Sequence, residues 1–261
     1  MSIPGESMTN PRSTIPVVVT CEHASHAVPE GAPYPGVSND VLLDHVSWDP
    51  GALDLAAVIA RELAAPLVAG TCSRLLVDLN RSPDNPAVIP AVSFGVPVPG
   101  NQNLSDAERS TRVRDFHAPY WNEVAARIDQ AVAAHGRVLH VMIHSFTPFL
   151  DPERRRFDLG LLFDPDRPSE VQLAQLARMR LENAGCSVEL NRPYSGAADG
   201  IPMPHRRKHA DGVYTCLEVE ANQGMMTGRW AERLGAAVCE VVREALGERA
   251  GCRAKTEHAG S

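Results

Sequence analysis

The feature that most constrains this chain is a series of short apolar runs, rich in β-branched residues, separated by amphipathic stretches of helical period. The first run is Ile15-Pro-Val-Val-Val-Thr-Cys21. Its brevity and lack of alternation suit a strand covered on both faces of a sheet. It stops directly at Glu22-His23. Further strands are expected at about 66–70, 74–79, 137–144, 157–163, 186–190 and 213–219. A helix is expected over 52–64, with Leu53, Ala56, Ala60 and Leu63 on one stripe. The capping box Ser105-Asp-Ala-Glu108 opens the longest helical region, in which Pro119 should kink or split the element. Ser169-Glu-Val-Gln172 opens a third helix closed by Gly185, and a last one is expected over 227–246. This alternation predicts an α/β fold with a mainly parallel sheet between helical layers.

At 261 residues, 44% apolar and 22% charged, the chain can bury one large core. One domain is expected over 15–248, between loose polar tails at 1–14 and 249–261. Net charge is −7, and lysine occurs only at Lys208 and Lys255, so no basic stripe for nucleic acid is present. The one dense positive patch, His205-Arg206-Arg207-Lys208-His209, reads as a solvated loop. Six cysteines without a CxxC pair, mostly with apolar neighbours, read as buried thiols in a reducing compartment. The N-terminus carries Glu6 and two prolines where a secretion signal would be apolar, and no segment approaches membrane-span length. A soluble, cytoplasmic protein is expected.

In open α/β sheets, ligands sit at the carboxyl ends of the strands. Those ends are unusually polar here: Glu22 and His23, then Asp78, Asn80 and Arg81, then His144 and Ser145, then Glu218 and Glu220. Charged side chains are seldom buried unless paired or bound to metal. Imidazole and carboxylate are the natural ligands of a catalytic zinc with an open position, so zinc or another divalent ion is expected, with Glu22, His23 and His144 as candidate ligands. The loop residue His26 could also reach such a site. The plain structural alternative is that Glu22 and His23 bond loop backbone and His144 is a satisfied interior histidine. The 82–103 loop, rich in Pro, Gly and Asn, is long enough for a lid or substrate loop.

Three segments, in order, resemble the signature blocks of the N-formylglutamate amidohydrolase family: Cys21-Glu-His-Ala-Ser-His-Ala-Val-Pro29, His45-Val-Ser-Trp-Asp-Pro-Gly-Ala52 and Ser73-Arg-Leu-Leu-Val-Asp-Leu-Asn-Arg-Ser82. His117-Ala-Pro-Tyr120, His144-Ser-Phe146 and Leu217-Glu-Val219 are similar to its later blocks, so the likeness spans roughly 15–245. The resemblance implies a three-layer αβα sandwich similar to the zinc-dependent exopeptidases, the phosphorylase/hydrolase-like carboxypeptidases and aspartoacylases. It implies a hydrolase of carbon–nitrogen amide bonds in amino-acid metabolism, converting N-formyl-L-glutamate to L-glutamate and formate. Two departures stand out. Those relatives carry their first two metal ligands as HxxE, whereas Glu22 here directly precedes His23, and His26 stands where the family block usually has Asn or another small polar residue.

On this reading Glu218 takes the proton of the attacking water, because a carboxyl ending an apolar strand is raised toward the working range by desolvation. The alternative for Glu218 is a structural pair with an arginine. Arg81 and Asn80, with Arg74 and Ser145, would bind the anionic substrate, since a guanidinium fork matches a carboxylate. Arg74 and Arg81 face opposite ways on one continuous strand, so Arg74 could equally be a sheet-edge ion pair. His45 and Asp49 share a face only if that segment turns helical, and would then orient substrate or stabilise the anionic intermediate. Asp49 could equally cap the following helix. Three other functions stay open: an amidohydrolase or carboxypeptidase for another N-acyl amino acid, a non-catalytic binder of acidic amino acids, and a serine hydrolase using Ser145. The last lacks a GxSxG elbow. The expected partner is a small anionic molecule, without nucleic acid or membrane, on a monomer or small homo-oligomer.

Overall fold

The computed structural model describes residues 16–150 and 152–247; the expected tails lie outside them, apart from the last residue of neither. The elements in chain order are β1 (Val17–Cys21), α1 (Asn39–Leu43), α2 (Ala52–Leu63), β2 (Leu67–Ala69), a ribbon of β3 (Val92–Ser93) and β4 (Val96–Pro97), α3 (Asp106–Arg112) and α4 (Ala118–His135). There follow β5 (Val138–Phe146), a second ribbon of β6 (Phe149–Leu150) and β7 (Glu153–Arg154), β8 (Leu159–Leu162), α5 (Pro168–Asn183), β9 (Val188–Leu190), α6 (Pro202–Lys208), β10 (Tyr214–Asn222) and α7 (Trp230–Ala245).

The main sheet has the order β2-β1-β5-β10-β8-β9. Strands β2, β1, β5 and β10 are parallel, β8 is antiparallel to β10, and β9 follows β8. The result is the α/β, mainly parallel mixed sheet expected from the sequence. Period-two alternation gives each strand two apolar faces. Val17, Val19 and Cys21 of β1, with Leu217, Val219 and Ala221 of β10, pack under α2, α5 and α7. Val18 of β1, Met142 of β5 and Cys216 of β10 pack with Tyr120, Val124 and Ile128 of α4. Three layers therefore form, αβα. Among the described residues no helix is long and apolar enough to cross a membrane.

Local chemistry accounts for most boundaries. Ser105 and Glu108 form the expected capping box at α3. Pro119 falls in the first turn of α4, directly after a π-type turn at Val113–His117 that widens the helix where a ring without an N–H enters. Helix α5 starts at Pro168 rather than at a Ser169 cap, and the Ser169 hydroxyl donates instead to Asp211 at 2.6 Å.

Four expectations are corrected. Residues 74–79 form no strand: their backbone is taken up locally, with Arg74 N donating to Ser47 O, Leu75 N to Ser73 Oγ and Asp78 N to Val88 O. Leu75, Leu76, Val77 and Leu79 are nonetheless buried, which is why the run imitates a sheet-core strand. Leu53 faces solvent, and the buried stripe of α2 is Leu55, Ala56, Ile59 and Leu63. The basic patch is helix α6 rather than a solvated loop, with His205 and Arg206 buried. The 82–103 segment is not structureless: it carries a short 3-10 turn at Pro86–Val88 and the β3–β4 ribbon.

Arg206 joins α6 to α5 through a buried fork on Glu170, at 3.0 and 2.7 Å, and donates to Gly196 O at 2.5 Å. Removing one partner leaves the other charge buried and unpaired, which costs about 3–5 kcal/mol. Glu170→Ala should therefore lower the unfolding free energy by about that amount in a denaturant titration. A loss under about 1 kcal/mol would show that the pair is not a tie between the helices.

Candidate active site

The site is built at the carboxyl end of the parallel strands, on the α4 side. Glu22, His144 and Glu220 all fall on that face, because strand side chains alternate and β5 and β10 pair His144 with Glu220 in register. Gly70 lets β2 approach: its N–H donates to Cys21 O at 2.8 Å, and a Cβ there would collide with the Glu22 carbonyl. The cavity measures about 370 Å³ and brings together His23, Asp49, Arg74, His144, Glu218 and Glu220, with Asn80 and Arg81 on the opposite side of its lining.

Asp49 is the hub. Its Oδ2 lies 2.9 Å from His144 Nδ1 and 3.4 Å from His23 Nδ1, Arg74 binds its Oδ1, and Ser145 N donates to it at 3.4 Å. The far nitrogen of each imidazole faces a second carboxylate: His23 Nε2 is 2.7 Å from Asp78 Oδ1, and His144 Nε2 is 2.9 Å from Glu22 Oε2. The latter contact is bent, so both atoms remain short of a good hydrogen bond, and the buried His23 Nδ1 has no partner within hydrogen-bond geometry. The rings of His23 and His144 meet edge to face, 5.0 Å between centroids.

Burial raises the pKa of Asp49, Asp78 and Glu22, yet their partners outweigh it. Arg74 and the two histidines hold Asp49 well below the carboxylate range, His23 and the arginines do the same for Asp78, and His144 brings Glu22 to about 2. Burial would lower His144, but Glu218, Asp49 and Glu22 around it push it well up. Glu218 and Glu220 go the other way, both raised chiefly by burial, Glu220 to about 8. Glu218 Oε1 is 3.7 Å from His144 Nε2, and Glu220 Oε2 is buried without a partner.

Two groups have ligand atoms within 4.8 Å of one another: His23, Asp49 and His144, and His144, Glu218 and Glu220. Among the described residues Glu22 belongs to neither; it stands behind His144, its Oε1 accepting the Tyr120 hydroxyl at 2.9 Å. Asp49 does not cap α2, whose N-cap is Gly51. His45 lines the cavity against Phe94, 5.4 Å between centroids, and its nearest acid is Asp44 at 3.6 Å rather than Asp49. The turned segment lets Arg74 and Arg81 both line the cavity. Arg81 Nη1 donates to Asp199 O at 3.1 Å, and Asn80 Oδ1 accepts Ile201 N at 3.4 Å. The Ser145 hydroxyl donates to Pro50 O and accepts from Gln223, with no histidine among its bonds. His26 packs on Trp48 and is not part of the cavity lining. Asp78 and Glu220 stood in the sequence among the polar strand ends without a role; only the fold shows them beside His23 and His144.

A six-stranded α/β sheet with imidazoles and carboxylates gathered at its carboxyl end defines a hydrolase-type site. The sequence matches the N-formylglutamate amidohydrolase family over residues 15–226, and the chain belongs to that family, a family of amide-bond hydrolases. A gene product of Agrobacterium tumefaciens has a similar crystal structure, 31% identical, with a TM-score of 0.80 over 90% of this chain and 92% of that one. The N-formylglutamate amidohydrolase of Ralstonia eutropha shares the fold at 19% identity, with a TM-score of 0.71 over 91% of this chain and 95% of that one. No curated protein matches the chain.

Glu220 offers a test of the electrostatics. Its pKa rises on folding from 4.5 to about 8, so the folded state holds a proton that the unfolded chain releases between those values. The stability it contributes is complete below pH 4.5 and is lost as pH climbs toward 8. In chelator, urea titrations should show Glu220→Gln gaining on the parent across that window. A difference independent of pH would mean that Glu220 is ionised in the folded protein.

Proposed function

We propose that the chain hydrolyses N-formyl-L-glutamate to L-glutamate and formate, with a divalent metal, zinc, held by His23, Asp49 and His144. The observation that carries this is the convergence of two Nδ1 atoms on Asp49 Oδ2 while each far nitrogen faces a carboxylate. That is the arrangement of metal-binding histidines, whose second nitrogen is oriented by an acid. The unpartnered His23 Nδ1 and the two-nitrogen, one-oxygen donor set fit zinc with a position left open. When bound, such an ion lowers the pKa of a water and polarises the amide carbonyl.

The remaining steps fall to the chain itself. Glu218, raised by burial, accepts the proton of the attacking water and returns it to the leaving amine. Glu22 orients His144 in place of binding the metal directly. Arg81 and Asn80, with Ser145 and Arg74 around them, hold the substrate anion, and His45 orients it at the rim beside Phe94. Glu220, kept protonated by burial up to about pH 8, limits the negative charge next to Glu218. The aromatic walls Phe94, Phe146 and Tyr194 favour a second substrate, an amino acid with a larger N-acyl group.

Purified protein, analysed for metal and assayed on N-formyl, N-acetyl and peptide substrates, tests this. Chelation should abolish hydrolysis and zinc should restore it. Glu218→Gln should lower turnover about a hundredfold or more with metal content unchanged. Turnover equal to the parent's would remove Glu218 from the mechanism, and hydrolysis of only the larger amides would replace the substrate.

A further inference from the structure

Behind the site runs a line of buried polar groups that catalysis as described does not use. Thr20, Glu22, His140 and Tyr214 are all fully buried, and they share the α4 face of the sheet with His144. Tyr214 hydroxyl lies 2.8 Å from His140 Nδ1, and His140 Nε2 lies 2.9 Å from Thr20 Oγ1. Glu22 comes next, two residues along the same strand, and the Thr20 hydroxyl hydrogen-bonds to its carboxylate. From the other side Tyr120 of α4 donates to Glu22 Oε1 at 2.9 Å. Polar groups this deep are costly unless each is satisfied, and a chain of them has to agree on which atom donates.

The donor sense can be worked out from the carboxylate end. Ionised Glu22 only accepts, so the Thr20 hydroxyl donates to it. Thr20 oxygen is then the acceptor for His140, which places the His140 proton on Nε2. The bare Nδ1 of His140 is left to accept from the Tyr214 hydroxyl. Burial holds His140 down at about 3, so its ring is neutral and can serve as donor at one nitrogen and acceptor at the other. Each proton in the line points toward Glu22, and Glu22 points at His144 Nε2.

We propose that Tyr214, His140 and Thr20, joined by Tyr120, form a positioning relay that locks Glu22 and through it holds His144 with Nε2 protonated and Nδ1 turned toward Asp49. These are positioning residues, since none of them lines the cavity. The proposal rests on His144 being a metal ligand only for its effect on metal binding; the protonation pattern stands without it.

The experiment uses the full chain with ¹⁵N-labelled histidine, with and without zinc, and the variants Thr20→Val and Tyr120→Phe. Long-range imidazole spectra should show His140 as the Nε2–H tautomer in the parent, and a changed His144 pattern in both variants. Zinc affinity, measured by competition with a chromophoric chelator, should fall about ten- to a hundredfold in each variant, as it does when a ligand loses its outer partner. His140 protonated on Nδ1, or zinc affinity and His144 spectra equal to the parent's in the folded variants, would overturn the relay. If Thr20→Val does not fold, Tyr120→Phe and the parent tautomer decide. A parent that binds no zinc defeats the metal reading alone, because the His144 spectra of the zinc-free variants still decide the relay.

Discussion

A carboxylate cannot be taken out of water alone, and the architecture around this cavity follows from how Asp49 is compensated. Burial would force it to take up a proton. Arg74 on one oxygen and two imidazoles on the other prevent that. Each compensating group then needs its own support. His23 leans on Asp78, His144 leans on Glu22, and Arg74 is fixed by a backbone bond to Ser47 and lies over Phe94. The demand for paired charge thus propagates outward from one side chain until it reaches backbone, hydroxyls and the surface.

Strand register makes this convergence possible. Thr20 and Glu22, His140 and His144, and Glu218 and Glu220 are each separated by an even number of positions, so each pair lies on one side of the sheet. The odd positions of the same strands are occupied by Val19, Val141, Leu217 and Val219, which fill the opposite core. A slip of one residue in β5 against β10 would carry His144 into that apolar layer. The nine-residue pairing of β10 with β5, from Tyr214 opposite Val138 to Asn222 opposite Phe146, makes such a slip expensive.

The layered fold could be read from the chain because β-branched runs and helical stripes are local signals. Residues 74–79 misled for the same reason: four buried apolar side chains look alike in a strand and in a tight buried turn, and only the distant partners Ser47 and Val88 distinguish them. The polar strand ends marked where chemistry gathers. They could not tell which carboxylate faces His144 from inside the cavity and which from behind, since Glu22 and Asp49 differ by 27 residues and by their place in three dimensions, not by residue chemistry. The relay through His140 was invisible, because a histidine in the middle of an apolar strand carries no sign of the Thr20 and Tyr214 hydroxyls that satisfy it.

Not all of the negative charge here is balanced, and the imbalance itself is informative. Glu22, Asp49 and Asp78 are held ionised by the imidazoles and arginines they touch, while Glu218 and Glu220, two residues apart on one face, are both driven up. Closely spaced carboxyls cannot all ionise when the neighbouring cations are already engaged. His144 responds in the opposite direction and holds its proton firmly. A wall of this kind has surplus affinity for positive charge. A divalent cation at His23, Asp49 and His144 would displace the His144 proton from the side facing Asp49 and draw Glu218 back toward ionisation, which is the state a proton acceptor needs.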